Sequence, residues 1–124
     1  MSELNVISGE IVDSAIKAHK RLGPGAMESV YERVLVFELR RRGFDVLVQV
    51  PQSIDYDGFI LEGCYRLDML VEGRIVVELK AVERILPLHE AQLISYLKIG
   101  NYPLGLLINF HVPKLRDGIR RFAN

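Results

Sequence analysis

The sequence predicts a mixed α/β fold in which helices pack on a single β-sheet. Apolar residues recur at helical spacing over positions 1–42, and apolar and polar residues then alternate with period two through positions 44–82. The composition agrees, because 49% hydrophobic and 26% charged residues without a Gly/Ser-rich or Pro-rich linker are typical of a globular core. With 124 residues, the chain is expected to form one domain over residues 1–124.

Two helices are predicted at the start of the chain. The apolar residues of the first lie three or four positions apart, at Ile7, Ile11, Ala15, Ala18 and Leu22. Asn5 or Ser8 can cap its start, and Gly23-Pro24-Gly25 ends it because proline cannot continue a helix. The second helix is predicted over Ala26–Arg42, with three arginines in its last turn, where the helix dipole favours cations. Gly43 ends it.

An antiparallel series of strands is predicted next. The alternating segment Phe44–Val50 is closed by Pro51. The segments Ser53–Tyr56 and Phe59–Glu62 flank Asp57-Gly58, which is a strong signal for a type I′ hairpin. Two further strands, Tyr65–Val71 and Arg74–Val82, are joined by a turn at Glu72-Gly73.

The last third of the chain is predicted to return to helices. A helix follows Pro87 over about Leu88–Lys98. His89 at its start suits a capping or solvent-facing role better than a contact with phosphate. An apolar strand follows over Leu104–Phe110, and a short helix is predicted at the C-terminus over about Lys114–Phe122. The predicted order is therefore α-α-β-β-β-β-α-β-α.

Composition excludes several classes of protein. The single cysteine, Cys64, allows neither an intramolecular disulfide nor a cysteine-based zinc site. No apolar run approaches the ~20 residues of a membrane span, and the N-terminus has no basic region typical of a secretory signal. A cytoplasmic protein without a membrane partner is expected.

Charge is unevenly distributed along the chain. The formal net charge is zero, but residues 44–88 carry −4 between flanking segments of +1 and +3. This distribution suits a carboxylate cluster flanked by basic segments that attract phosphate.

The strand after the Glu72-Gly73 turn is apolar apart from one carboxylate and one lysine. Residues two apart in a strand share a face, so Glu78 and Lys80 point the same way. Charges in such a strand are costly to desolvate unless they are paired or bind a metal ion. Asp68 lies ten residues earlier on the preceding strand, and the turn places it opposite about residue 77. Asp68, Glu78 and Lys80 are therefore expected to converge.

Two carboxylates and a lysine on one sheet face suit metal-assisted hydrolysis of a phosphodiester bond. Carboxylate oxygens bind Mg²⁺, which polarises a phosphoryl oxygen and lowers the pKa of a bound water. The lysine can orient that water and offset the charge that develops. The alternative for Glu78 and Lys80 is a plain salt bridge on a half-exposed strand, and the spacing to Asp68 favours the metal site.

The same residues resemble a known family. Asp68 with Glu78-Leu79-Lys80 is similar to the catalytic signature of the PD-(D/E)xK nuclease superfamily, which has the restriction-endonuclease-like fold. The segment Gly25-Ala26-Met27-Glu28-Ser29-Val30-Tyr31 resembles the Gly-x-x-Glu-x-x-Tyr motif of the GxxExxY family, a bacterial and archaeal branch of that superfamily. The resemblance covers nearly the whole chain, although Leu67 rather than proline precedes Asp68. It implies a central mixed sheet of about four strands in α-β-β-β-α-β order, flanked by helices, with the Asp57-Gly58 hairpin as an addition.

The resemblance also implies roles for individual residues. Asp68, Glu78 and Lys80 correspond to the core triad, with the two carboxylates as metal ligands. Glu28 corresponds to a helix-borne acidic residue that is a further ligand of metal or water, and Gln92 to a glutamine near the active site of several related nucleases. From the residues alone, Glu28 also suits a dipole partner at a helix start, and Gln92 a position on an ordinary amphipathic helix.

The function expected from these features is hydrolysis of DNA, with RNA as the second choice of substrate and Mg²⁺ or Mn²⁺ as the cofactor. The alternative is a catalytically silent subunit of the same fold that binds nucleic acid or protein. The small size favours assembly as a homodimer, the commonest closed oligomer, or within a larger complex. The basic residues available for phosphate are Arg40, Arg41, Arg42, Lys114, Arg116, Arg120 and Arg121.

Overall fold

A computed structural model describes residues 2–124 and, over these residues, contains three α-helices, five strands and one short 3₁₀ helix. The elements in chain order are α1 (Glu3–Leu22), α2 (Glu28–Arg41), β1 (Val46–Tyr56), β2 (Phe59–Val71), β3 (Ile75–Lys80), α3 (Pro87–Gly100), β4 (Leu104–Asn109), the 3₁₀ helix (Leu115–Gly118) and β5 (Ile119–Ala123). In the described chain, no helix is both long enough and apolar enough to cross a membrane.

The strands form one mixed sheet in the order β1-β2-β3-β4-β5. The β3–β4 pair is parallel and the other three pairs are antiparallel. The parallel pair needs a crossover, which α3 supplies. This arrangement confirms the predicted class, a mixed α/β fold consistent with a restriction-endonuclease-like core.

Helices cover both faces of the sheet. On one face, α1 and α2 pack on the sheet through a large apolar cluster that includes Ile11, Leu35 and Val77. On the other face, a smaller cluster joins Leu93 and Leu97 of α3 to the central strands. Burial of both sheet faces explains why β3 and β4 are almost continuously apolar in sequence. A charged residue in β3 is therefore set among buried side chains.

The helices begin and end close to their predicted bounds. The first helix starts at Glu3, and its cap is Ser2 rather than the predicted Asn5 or Ser8. The hydroxyl of Ser2 accepts from the backbone N–H of Asn5 at 3.2 Å. His89 caps α3 as predicted, since its Nδ1 accepts from the backbone N–H of Leu86 at 3.0 Å.

Two predictions about the strands are wrong. Pro51 does not close a strand, because β1 continues through it to Tyr56 and pairs along its length with β2. As an edge strand, β1 tolerates a residue without an N–H. The C-terminal helix over Lys114–Phe122 is also absent, because Ile119–Ala123 forms β5 against β4. The open edge of β4 supplies backbone partners that an isolated short helix would lack.

The β1–β2 hairpin twists sharply at Gln49. The register passes from the pair Val48–Met69 to the pair Val50–Leu67, and Gln49 between them has a φ of 51°. Met69 packs in the cluster of α1 and α2, whereas Leu67 packs in the cluster of α3. Residues two apart share a face in a flat strand, so the hairpin must rotate between these positions.

Candidate active site

Asp68 and Glu78 lie opposite each other where the backbone pairing of β2 with β3 stops. The last backbone pair is Met69 with Val77. Beyond it, the backbone N–H of Asp68 donates to Oε1 of Glu78 at 3.2 Å, and the backbone N–H of Leu79 donates to Oδ2 of Asp68 at 2.9 Å. One oxygen of each carboxylate thus accepts a backbone N–H of the opposite strand. The second oxygen of each carboxylate accepts no backbone hydrogen bond.

This pair concentrates negative charge in a poorly solvated place. Glu78 is only 6% exposed, whereas Asp68 is partly exposed. Burial, followed by the charge of Asp68 and hydrogen bonding between the two carboxyl groups, raises the pKa of Glu78 to about 9. The backbone N–H of Asp68 and the charge of Lys80 oppose this rise. The pair therefore needs a proton or a cation at neutral pH.

Lys80 shares the face of β3 with Glu78 and is partly buried. Its charge lowers the pKa of both Glu28 and Glu78, so the ammonium group lies within electrostatic reach of both carboxylates. Its backbone is fixed from the neighbouring strand, because the N–H of Phe110 donates to the carbonyl of Lys80 at 2.9 Å.

Asn109 supports the end of β3, a role that was not predicted from the sequence. It is 1% exposed and lies beside Lys80 in the parallel register. Its Oδ1 accepts from the N–H of Val82 at 3.0 Å, and its Nδ2 donates to the carbonyl of Val82 at 2.9 Å. The amide thus extends the β3–β4 pairing past Lys80. The available signal was a lone amide side chain at the end of the apolar segment Leu104–Phe110.

Glu28 approaches the carboxylates from the first turn of α2. Partial burial and then the charge of Asp68 raise its pKa, while Lys80 and a hydrogen bond from the Ala81 backbone oppose the rise. These interactions cross between α2 and the ends of two strands. Glu28 therefore lies within electrostatic reach of Asp68 and Lys80. Its role as a further ligand of metal or water remains a prediction.

Tyr31, three residues after Glu28, anchors the start of α2. Its side chain is fully buried, and its ring stacks on Phe110 with 4.1 Å between the centroids. The hydroxyl donates to the carbonyl of Gly23 and accepts from the N–H of Ala26 at 3.1 Å. Tyr31 thus ties the loop before α2 to the end of β4. This anchoring fixes the start of α2, where Glu28 lies.

The helix α3 contributes Tyr96 to the site. Burial and the charges of Glu78 and Asp68 raise the pKa of Tyr96, and its ring meets that of Tyr65 edge-on at 5.3 Å. Gln92 lies one turn earlier and is exposed, and no hydrogen bond joins it to these residues within the described chain. A role for Gln92 remains a prediction.

The arginines at the end of α2 differ in what they contact. Arg42 turns to α1 and pairs with Glu10 and Asp13, each at 2.8 Å. Arg41 pairs with the buried Glu38, and Arg40 donates to the carbonyl of Val46 at 2.7 Å. Of the predicted phosphate-binding group 40–42, Arg40 is the one member that pairs with no carboxylate in residues 2–124. Phosphate binding by this group remains a prediction.

A divalent cation fits the Asp68–Glu78 pair, although residues 2–124 contain no group of three or more His, Cys, Asp or Glu gathered closely enough to hold a metal as they stand. Both carboxylates keep an oxygen beyond the one used for backbone hydrogen bonding, and oxygen donors are what Mg²⁺ and Mn²⁺ prefer. The excess negative charge of the buried pair also favours a cation.

A mixed sheet with opposed carboxylates and a lysine at the end of its central parallel pair defines a restriction-endonuclease-like protein. A family model described as "PD-(D/E)XK nuclease superfamily" matches residues 5–122. The chain therefore belongs to the PD-(D/E)XK nuclease superfamily. Searches of curated proteins and of solved structures give no significant match. Membership of the GxxExxY branch remains a prediction.

Proposed function

We propose that this protein is a nuclease that hydrolyses phosphodiester bonds of DNA with the help of Mg²⁺ or Mn²⁺. The observation that carries the proposal is the buried Asp68–Glu78 pair with Lys80 beside it. Such a pair is unfavourable for stability unless a proton or cation compensates it. The superfamily match agrees with nuclease-type chemistry and a nucleic acid substrate.

Each residue of the site has a distinct role in this proposal. Asp68 and Glu78 would hold the cation, with Glu28 as a further ligand of metal or water. When bound, the cation supplies Lewis-acid polarisation of the phosphoryl oxygen and a more acidic water. Lys80 orients the attacking water with its N–H donors and offsets the negative charge that grows on the phosphoryl oxygens.

The raised pKa of Glu78 sets the order of events at the carboxylates. Near neutral pH the pair by itself retains a proton, because the folded pKa of Glu78 is about 9. A metal ligand must be deprotonated, so a cation held by Asp68 and Glu78 would favour the ionised form of Glu78. Lys80 and the backbone N–H groups that bond Asp68 and Glu78 remain in place to stabilise the ionised carboxylates.

Calorimetric titration with Mg²⁺ and Mn²⁺ tests the metal site. We expect one saturable site in the wild type, none in Glu78→Ala, and an unchanged site in Glu62→Ala, which removes an exposed carboxylate from the hairpin. Cleavage of a DNA plasmid and of an RNA transcript of the same sequence, with and without EDTA, tests the reaction and its substrate. Metal binding without cleavage of either would favour the catalytically silent alternative.

A further inference from the structure

A groove of about 630 Å³ runs between α2 and the edge strand β1. We call it the α2–β1 groove. Its apolar floor is formed by Val36 and Val48, and an exposed Phe37 stands on its wall. Three arginines, Arg33, Arg40 and Arg41, also line it. Val36 also packs against the core cluster, whereas Val48 and Phe37 are exposed and belong to neither core cluster.

One end of the groove meets the candidate active site. Glu32 lines the groove one turn after Glu28, and its carboxylate accepts a hydrogen bond from Nε2 of Gln49 at 3.3 Å. Gln49 is the twisted residue of β1 that lies opposite Asp68 in the β1–β2 register. At the far end, Arg40 bonds to the carbonyl of Val46. From Glu32 to Arg40 the groove therefore follows α2 away from the carboxylates for about two turns, or about 12 Å.

The side chains along the groove combine cationic and aromatic groups. Phe37 is 63% exposed, and the guanidinium of Arg41 lies 5.3 Å from the centre of its ring. Arg33 is exposed, and it makes no hydrogen bond or ion pair with another residue in positions 2–124. An aromatic platform with neighbouring arginines is the usual means of holding unpaired bases and their phosphates.

From this juxtaposition we propose that the α2–β1 groove binds a single-stranded segment of nucleic acid and leads it to Asp68 and Glu78. The phosphates contact Arg33 and Arg40, and one base stacks on Phe37. The proposal rests on the proposed nuclease function for its direction along the groove, but binding itself requires neither metal nor cleavage. DNA and RNA strands share this chemistry, since no feature of the groove selects the 2′-hydroxyl.

The dimensions and chemistry favour an unpaired strand over the other occupants. A volume of about 630 Å³ holds a few nucleotides of one strand and cannot enclose a duplex. Stacking on Phe37 also requires a base that is free of its own stack. A protein segment would need acidic groups to meet the three arginines, and that occupant is an outcome of the test.

Fluorescence anisotropy in EDTA measures this binding without turnover. The probes are labelled dT₂₀, rU₂₀ and a 20-base-pair duplex of mixed sequence. We expect Phe37→Ala to weaken binding of the single strands by about tenfold or more, because stacking on an aromatic residue contributes that much. Phe59→Ala is the matched control, since Phe59 on the hairpin tip is 64% exposed. We expect that control to bind like the wild type.

Arg33→Ala tests the phosphate contacts, with Lys98→Ala at an exposed site on α3 as its control. The logarithm of the affinity falls linearly with the logarithm of the salt concentration. Loss of one phosphate contact to a single strand makes this slope less steep by about 0.7. We expect that change for Arg33→Ala only. Both Phe37 and Arg33 are exposed, and circular dichroism of each variant confirms that the fold is unchanged.

The outcomes separate this inference from the nuclease proposal. Single-strand binding that depends on Phe37 supports the groove even if no DNA or RNA is cleaved. Cleavage by the wild type with unchanged binding and activity in Phe37→Ala overturns the groove and leaves the nuclease standing. Absence of single-strand binding at low salt, or an equal loss of duplex binding in Phe37→Ala, also overturns it. A difference between dT₂₀ and rU₂₀ identifies the preferred nucleic acid.

Discussion

Asp68 and Glu78 are joined by a reciprocal exchange across two strands. The backbone N–H of Asp68 donates to Glu78, and the carboxylate of Asp68 accepts from the residue that follows Glu78. The two acidic side chains thus replace the backbone pairing that ends at Met69 and Val77. The same groups that are proposed to bind a cation also hold the strands together.

The first prediction concerns the stability of the metal-free protein. Glu78 has a pKa of about 9 when folded, against an ordinary value of 4.5 when unfolded. A carboxyl with a raised folded pKa favours the folded state fully below its unfolded pKa, and this contribution is lost as pH rises through the folded value. In EDTA, the melting temperature should therefore fall between pH 5 and pH 9.

Glu78→Gln should remove most of that pH dependence, because the amide stays neutral throughout. Differential scanning calorimetry of the wild type and the variant from pH 5 to pH 9 measures the difference. Glu62→Gln, at an exposed carboxylate, should follow the wild-type curve. A Glu78→Gln curve parallel to that of the wild type would contradict the assignment of the proton to this pair.

The second prediction separates the role of Lys80 from that of the carboxylates. Lys80→Ala should lower the cleavage rate by about 100-fold or more, which is typical when a group that stabilises transition-state charge is removed. Its affinity for Mg²⁺ should stay near the wild-type value, because the ammonium does not bind the cation. Calorimetry and single-turnover cleavage measure the two quantities. Equal losses in both would show that Lys80 instead holds the carboxylates in position.

The third prediction concerns the anchor at Tyr31. Tyr31→Phe keeps the ring stacked on Phe110 but removes the bonds to Gly23 and Ala26. The free energy of unfolding should fall by about 1–3 kcal/mol, because buried backbone groups lose their partner. Urea denaturation measures this. Tyr102→Phe, which loses one partly buried bond to Gln52, should cost less.

The fourth prediction concerns acid stability. Hydrogen bonds from Arg41, then from Lys17, lower the pKa of Glu38 to about 2. A carboxyl with a lowered folded pKa stabilises the fold above its unfolded pKa, and that contribution is lost as pH falls through the folded value. Glu38→Gln should therefore melt at a lower temperature than the wild type at pH 6, and the two should converge near pH 2. A constant difference would contradict it.

Much of the fold could be predicted because local patterns and tertiary packing agree. The helical spacing of Ile7 to Leu22 and the turn at Glu72-Gly73 each indicate one structure, and the structure adopts it. The segment Ile119–Ala123 is different, since its short sequence suits a helix or a strand, and the free edge of β4 decides. Whether this segment forms a helix or a strand is therefore decided by its pairing with β4 in the assembled sheet.

Part of the candidate site could likewise be predicted from the sequence, and part could not. Asp68, Glu78 and Lys80 could be predicted because facing within a strand and across a turn follows from spacing. The twist at Gln49 could not, because glutamine carries no signal for a positive φ. The support from Asn109 depends on a parallel neighbour that lies 29 positions beyond Lys80 in sequence. Sequence spacing gives no direct indication of such a contact.

The twist of β1 also bears on how the protein avoids self-association. An exposed edge strand offers a row of free amides that another chain can extend into a fibril-like sheet. In β1, the positive φ at Gln49 bends that row, and Pro51 two residues later has no amide hydrogen to contribute. A strand of another chain therefore cannot form a continuous ladder of backbone hydrogen bonds along β1. The distortion of β1 opposite Asp68 thus also protects the sheet against aggregation at this edge.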